Sequence, residues 1–268
     1  MVFDEIFNGD TVDRIDNSGI NNPAIINTCI SPNLFALTFD DGPDFNTEAL
    51  LGILDKNNVK ATFFINGINA SPLLKPVLKK MFNNGHQLAS HGWSHQDLAT
   101  LGNDLLLEEL DKNNELIKEI TGNISTIIRP PYGSITNEVI STLTRLDYSL
   151  IWLNADSKDY EICNDSAFTQ ITKEYYSPLL NGGSLIALHH SFCNSTVYTW
   201  TQMLIDIVKQ KGYRFVTIDE CIGKHALPKL GNAFPSEPKP APRKKSSSLS
   251  DLSISSLSVL MAWFTLLL

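Results

Sequence analysis

Between residues 33 and 221, seven short apolar runs alternate with five helical stretches, and this alternation constrains the fold more than any other feature of the chain. The apolar runs cover 35–39, 61–65, 87–90, 127–129, 149–153, 184–189 and 215–218, each short enough for a buried strand. The intervening stretches 47–57, 75–83, 104–121, 137–146 and 199–211 carry apolar residues at helical spacing. The clearest is 104–121, with Leu106, Leu110, Ile117 and Ile120 on one face and mixed charges on the other; 199–211 stops at Gly212, as a helix cap should. Strands alternating with helices predict an α/β fold with a parallel sheet, open or closed into a barrel, and in both the chemistry gathers at the carboxyl ends of the strands. Alternation alone does not choose between the two.

A chain of 268 residues, 43% hydrophobic and 19% charged, suits one globular domain with ends to spare. A net charge of -8 argues against a nucleic-acid partner, which calls for a basic footprint, and fits a neutral or cationic polymer better. The ends read differently from the middle. Residues 1–27 form a polar arm, 28–225 the main domain, 226–248 a Pro/Lys/Ser-rich linker and 249–268 an apolar tail. The ten apolar residues from Val259 to Leu268 are too few for a membrane span of ~20, but a polar spacer followed by an apolar tail is the pattern of a GPI-anchor signal. That reading makes the membrane relevant only through a C-terminal lipid anchor. Four cysteines and the sequons at Asn69, Asn123, Asn164 and Asn194 suggest an oxidising, cell-surface or secreted setting. The acidic start at Met1 shows no signal peptide, so secretion implies a segment not seen here.

Several polar residues fall at strand ends. In Leu37-Thr38-Phe39-Asp40-Asp41-Gly42-Pro43, two carboxylates stand side by side; the turn at Gly42-Pro43 can bring both to one cavity, where their repulsion calls for a cation. The same residues would also make a good Asx-type turn. His91 and His95, at i and i+4, can ligate one ion, and with Asp41 they give a His2Asp set that leaves positions open for catalysis. Arg129, in Arg129-Pro130-Pro131-Tyr132-Gly133, can bridge to a carboxylate. Residues 152–160 end another strand with Asp156 and Asp159, and 183–190 delivers His189 and His190, of which a strand can turn only one toward a given pocket.

These five motifs, in this order over about 190 residues, resemble the polysaccharide deacetylases of carbohydrate esterase family 4, and most nearly the fungal chitin deacetylases. The resemblance implies a distorted (β/α) barrel in a single domain, and an enzyme that removes N-acetyl groups from chitin or chitooligosaccharides; a monomer is the expected state. It makes Asp40 the general base, with Asp41, His91 and His95 holding zinc, cobalt or another divalent ion. Arg129 would hold Asp40, His189 would be the general acid, and Asp159 would orient His189. His190 is then a neighbour. Tyr132, Trp152, Tyr160 and Ala187 would contact substrate, with Tyr132 lending its backbone N–H to an oxyanion. Tyr160 stands where the family usually has Trp, and Ala187 where it usually has Leu. Those departures keep two alternatives open: an O-acetyl xylan esterase, or a wall-binding relative with an impaired site. In such a barrel Cys29 and Cys221 would flank the first and last strands and pair. Cys163 and Cys193 would form a second bridge, although four cysteines allow three connectivities.

Overall fold

The computed structural model describes residues 25–224. The linker, the tail with its anchor-signal pattern and most of the N-terminal arm lie outside the described residues.

Nine strands and eight α-helices alternate through this region. The strands are β1 (Ile25–Ile26), β2 (Leu34–Gly42), β3 (Thr62–Ile65), β4 (Gln87–Ser90), β5 (Ile127–Ile128), β6 (Ser149–Ile151), β7 (Ala155–Asp156), β8 (Leu185–His190) and β9 (Arg214–Val216). The helices are α1 (Thr47–Lys56), α2 (Lys75–Asn83), α3 (Asn103–Thr121), α4 (Asn137–Arg145), α5 (Asp159–Ile162), α6 (Phe168–Leu179), α7 (Thr201–Gln210) and α8 (Ile218–Cys221). All seven expected strands and all five expected helices are present, with ends moved by a few residues. Ile218 opens α8 instead of closing a strand, and the arm expected over 1–27 contributes β1.

Every strand pair is parallel, in the order β1-β6-β5-β4-β3-β2-β8-β7, with β9 also on β2. The chain itself ties one far end of this order, β7, to β6, the strand next to the other end. Only residues 152–154 separate β6 from β7, and the four Cα–Cα steps from Ile151 to Ala155 reach at most about 14 Å. The sheet must therefore curl until its edges approach, which makes it a distorted barrel instead of an open doubly wound sheet.

β2 is buried on both faces and sorts its side chains by parity. Phe35, Leu37 and Phe39 join the helix-facing core with Leu50, Leu54, Leu204 and Trp200. Leu34 and Ala36 join Phe64, Ala89, Ile127, Ile151, Ile186 and Val216 in a cluster that draws residues from seven strands, and this is the barrel interior. Thr38 and Asp40 continue the interior row, and the Arg129 guanidinium lies 4.2 Å from the Phe64 ring, on top of that cluster. The apolar fill thus stops at Thr38, and a polar layer begins at the carboxyl ends. Disulfides Cys29–Cys221 and Cys163–Cys193 are both formed, as the resemblance implied.

Candidate active site

Two adjacent aspartates can share a cavity here because β2 is irregular between them. Asp40 pairs with Phe64 of β3 and Gly42 with Ile65, so Asp41 is an extra residue, a bulge, with φ of 68°. The bulge, one residue before the expected turn, returns the Asp41 side chain to the face that Asp40 already occupies. The Asn69 amide donates to the Asp41 carbonyl at 2.8 Å, which fixes the bulge and ties up the side-chain nitrogen of one sequon.

His91 and His95 sit on a compact loop after β4. Its course needs positive φ at Gly92 (75°) and at His95 (59°). Glu109 of α3 holds this loop: its buried carboxylate accepts from the Trp93 and Ser94 amides, both at 2.8 Å, and from Ser94 Oγ at 2.6 Å. His91 Nδ1 lies 2.6 Å from the Arg129 carbonyl. A carbonyl only accepts, so Nδ1 carries the proton and Nε2 keeps its lone pair.

Asp41 Oδ1 lies 3.4 Å from His91 Nε2 and 3.1 Å from His95 Nε2, and the three ligand atoms are all within 4.8 Å of one another. Asp41 Oδ1 is buried and takes no hydrogen bond of good geometry. Burial alone would raise this carboxyl, but the two imidazoles outweigh it and hold it well below the usual range. An ionised oxygen without a partner, facing two imidazole nitrogens, is a donor set that fits a divalent cation. Asp40 is nearly fully buried beside it. Its Oδ1 accepts from Arg129 Nη1 at 2.7 Å, while Oδ2 lies 3.9 Å from His91 Nε2. Arg129 Nη1 also donates to Thr38 Oγ1 at 2.8 Å.

The strand that carries the two histidines turns His190, not the expected His189, toward the site. In β8, His190 pairs with Asp40 and Leu188 with Thr38, so the interior row of β8 is Ile186, Leu188, His190. His189 has the opposite parity and points into the helix-facing core. It stacks on Tyr176 and accepts a hydrogen bond at Nε2 from Trp200 Nε1, 3.1 Å away. Burial pushes His189 down to about 4, so it is neutral at ordinary pH. His190 takes the place expected of His189. Its Nδ1 is 2.6 Å from Asp159 Oδ1, its backbone N–H donates to Asp159 Oδ2 at 2.7 Å, and its Nε2 lies 3.8 Å from Asp41 Oδ2. Burial opposes the charge on this ring, but the Asp159 carboxylate overcomes it and raises His190 to about 9. Asp159, fully buried and also bonded by Thr196 Oγ1, therefore partners His190, not His189.

The expected substrate contacts divide. Tyr132, at φ of 60°, is exposed and sets its ring edge against His95 with centroids 4.5 Å apart. Tyr160 meets the His190 ring at 5.5 Å and donates to Asp156 Oδ2 at 3.0 Å. Ala187 is fully buried on the helix-facing side of β8, and its carbonyl accepts from Thr38 Oγ1, so it lines no pocket. Trp152 is 5% exposed and packs against Gly133, where a Cβ would come within 2.6 Å of the indole; it props the turn that carries Tyr132. From sequence His190 reads as a neighbour and Asn69 only as a sequon, and Glu109 belongs to no motif. A strand apolar on both faces offers no alternation to tell His189 from His190.

Fold and site together define a parallel β/α-barrel protein with a two-histidine, one-aspartate set that could hold a metal ion and a His–Asp pair facing it. Residues 28–151 match the family described as polysaccharide deacetylase. The chain is 40% identical over 201 residues to a chitin deacetylase of Pestalotiopsis sp, covering 74% of this chain and 67% of that protein. It is 38% identical over 202 residues to a chitin deacetylase of Arthroderma benhamiae, covering 74% and 54%. With the chitin deacetylase of Colletotrichum lindemuthianum it shares 37% over 203 residues, covering 73% of this chain and 82% of that one. The solved structure of the Colletotrichum protein superposes with a TM-score of 0.71 over 74% of this chain and 91% of that chain. The chain belongs to the polysaccharide deacetylase family. It spans about half to four fifths of the length of these relatives.

Proposed function

We propose that this polysaccharide deacetylase hydrolyses the N-acetyl groups of N-acetylglucosamine units in chitin or chitooligosaccharides, releasing acetate. The observation that carries the reading is the meeting of three groups at one end of the barrel: the Asp41/His91/His95 set, the Arg129-held carboxylate of Asp40, and the Asp159-charged imidazole of His190. The names of the relatives supply the substrate, and two disulfides suit an oxidising setting in which a wall polymer is met.

A divalent ion such as zinc, held by Asp41, His91 and His95, would lower the pKa of a water and polarise the acetamide carbonyl. Asp40 takes the proton from that water as its oxygen bonds to the carbonyl carbon. Arg129 occupies Asp40 Oδ1 and leaves Oδ2 to receive the proton. The Tyr132 backbone N–H donates to the developing oxyanion. The C–N bond then breaks, and His190 Nε2 gives its proton to the amine nitrogen, because an amide does not expel a free amide anion. Asp159 stabilises the charge on His190 before that transfer. With His190 in this role, the residue two before it is Leu188, as the family usually has. Ala187 then ceases to be a departure, and Tyr160 is left as the one residue that differs from the usual pattern.

Acetate release tests the reading. The full chain, stripped with a chelator and then given zinc, is expected to release acetate from N-acetylglucosamine oligomers of four to six units and not before zinc is restored. Release from acetylated xylan alone overturns the substrate. No release from a chain that binds zinc tightly overturns the hydrolase.

A further inference from the structure

β3 lies between β2 and β4 and pairs with both. Asp41 belongs to β2 and His91 follows β4, so whatever fixes the gap between the aspartate and the histidines has to cross the end of β3. The ladder gives out at that point. Its last rungs are Gly42 with Ile65 and Ile65 with Ser90, and the bulged residue, Asp41, stands outside it. The crossing falls to the four residues that follow Ile65: Asn66, which is buried, and the single 3₁₀ turn Gly67–Asn69.

These residues bond to both sides of the gap. The Asn66 backbone N–H donates to the Gly42 carbonyl at 3.1 Å, and its Nδ2 donates to the His91 carbonyl at 2.6 Å. The Ile68 N–H donates to the Trp93 carbonyl at 2.9 Å, and Asn69 Nδ2 donates to the Asp41 carbonyl at 2.8 Å. Four donors therefore reach four carbonyls, those of Asp41 and Gly42 on one side and of His91 and Trp93 on the other. Two of the donors are side-chain amides, which a link from β3 to α2 could dispense with; spent on carbonyls of two separate segments, they fix a distance. Glu109 holds the amides of the same histidine loop, so the loop is gripped by its N–H groups from α3 and by its carbonyls from this turn. Gly67 lets the turn lie this close: a Cβ there would come within 2.3 Å of the Trp93 ring and 2.8 Å of Asn113 Oδ1.

We propose that Asn66, Gly67 and Asn69 are positioning residues for the metal set, a strap that fixes the separation of the Asp41 carboxylate from the His91 and His95 imidazoles. The inference rests on the reading of Asp41, His91 and His95 as ligands of a divalent ion. The test measures zinc affinity by chelator competition in the full chain, Asn69→Ala and Gly67→Ala, beside the melting temperature of each zinc-free protein. Both variants are expected to bind zinc at least about tenfold more weakly, as on loss of an outer partner of a metal set. Cobalt bound in place of zinc should show shifted visible bands in both, because its donors no longer stand at the same separation. A loss of less than about tenfold in Asn69→Ala overturns the strap, and a lower melting temperature beside it would leave the turn as scaffold alone. Should Gly67→Ala fail to fold, Asn69→Ala, with its partly exposed side chain, decides. A parent chain that binds no zinc overturns the metal reading and the strap with it. One that binds zinc and releases no acetate overturns the hydrolysis alone, and the affinities still judge the strap.

Discussion

A one-residue bulge and a one-residue parity difference decide which groups meet at this site. Asp41 faces the pocket because β2 carries an unpaired residue there, and His190 faces it because β8 alternates. The metal set was legible in the sequence, since Asp-Asp and His-x3-His are short patterns with few other uses. The histidine that faces the pocket was not: His189 and His190 are neighbours, and Leu185 to Leu188 are apolar on both faces of the strand. Two substitutions separate their roles. His190→Asn keeps a donor where Nδ1 meets Asp159 but has no proton to give at Nε2, so kcat is expected to fall about 10²–10⁴-fold with little change in melting temperature. His189→Leu should keep its turnover and melt lower, because the buried Trp200 N–H loses its acceptor at a cost of about 1–3 kcal/mol. The reverse pattern in kinetics would return the acid role to His189.

Among the elements, α3 shows how a helix serves a loop it does not belong to. Its apolar stripe, Leu106, Leu110, Ile117 and Ile120, is buried as its periodicity foretold. Its buried polar residues were invisible to that pattern, which reads apolar spacing alone. Glu109 receives the loop between His91 and His95, and Asn113 Nδ2 donates to the Ile65 carbonyl and Ser90 Oγ, both at 2.9 Å. Glu109→Ala is expected to weaken zinc binding by about 10–100-fold, the usual cost of losing an outer partner of a metal set. Glu109→Gln, which retains one acceptor oxygen, should fall between. Competition with a chromophoric chelator measures both, and an unchanged affinity would show that the loop holds itself. Other elements left no trace in the sequence for simple reasons. α6 buries Phe168, Thr172 and Tyr176, too few apolar positions to mark a period, and it contains Pro178; β7 is two residues long.

At the level of the whole molecule, alternation established the strands and helices but not their closure. Closure follows from the short connection between β6 and β7, which becomes informative only once the strand order is known. The same thorough burial sets the response to acid. Burial keeps His189 near 4, and burial with Lys60 close by does the same for His86, whereas in the unfolded chain histidine takes up a proton near 6.5. Stability from these two groups is therefore complete above about pH 6.5 and is lost as pH falls toward 4. His189 alone accounts for on the order of 3 kcal/mol across that window. Urea unfolding at pH 7, 5.5 and 4.5 should show the decline, and His189→Leu should flatten part of it.

The Cys163–Cys193 bridge has a bearing on this chemistry beyond holding two loops together. Asp159 stands four residues before one half-cystine and His190 three before the other, so the disulfide and the carboxylate–imidazole hydrogen bond close one small ring. Reducing that bridge opens the ring without touching a single residue of the barrel's apolar fill. Losing this bridge is expected to slacken the hold of Asp159 on His190, the residue proposed as the acid.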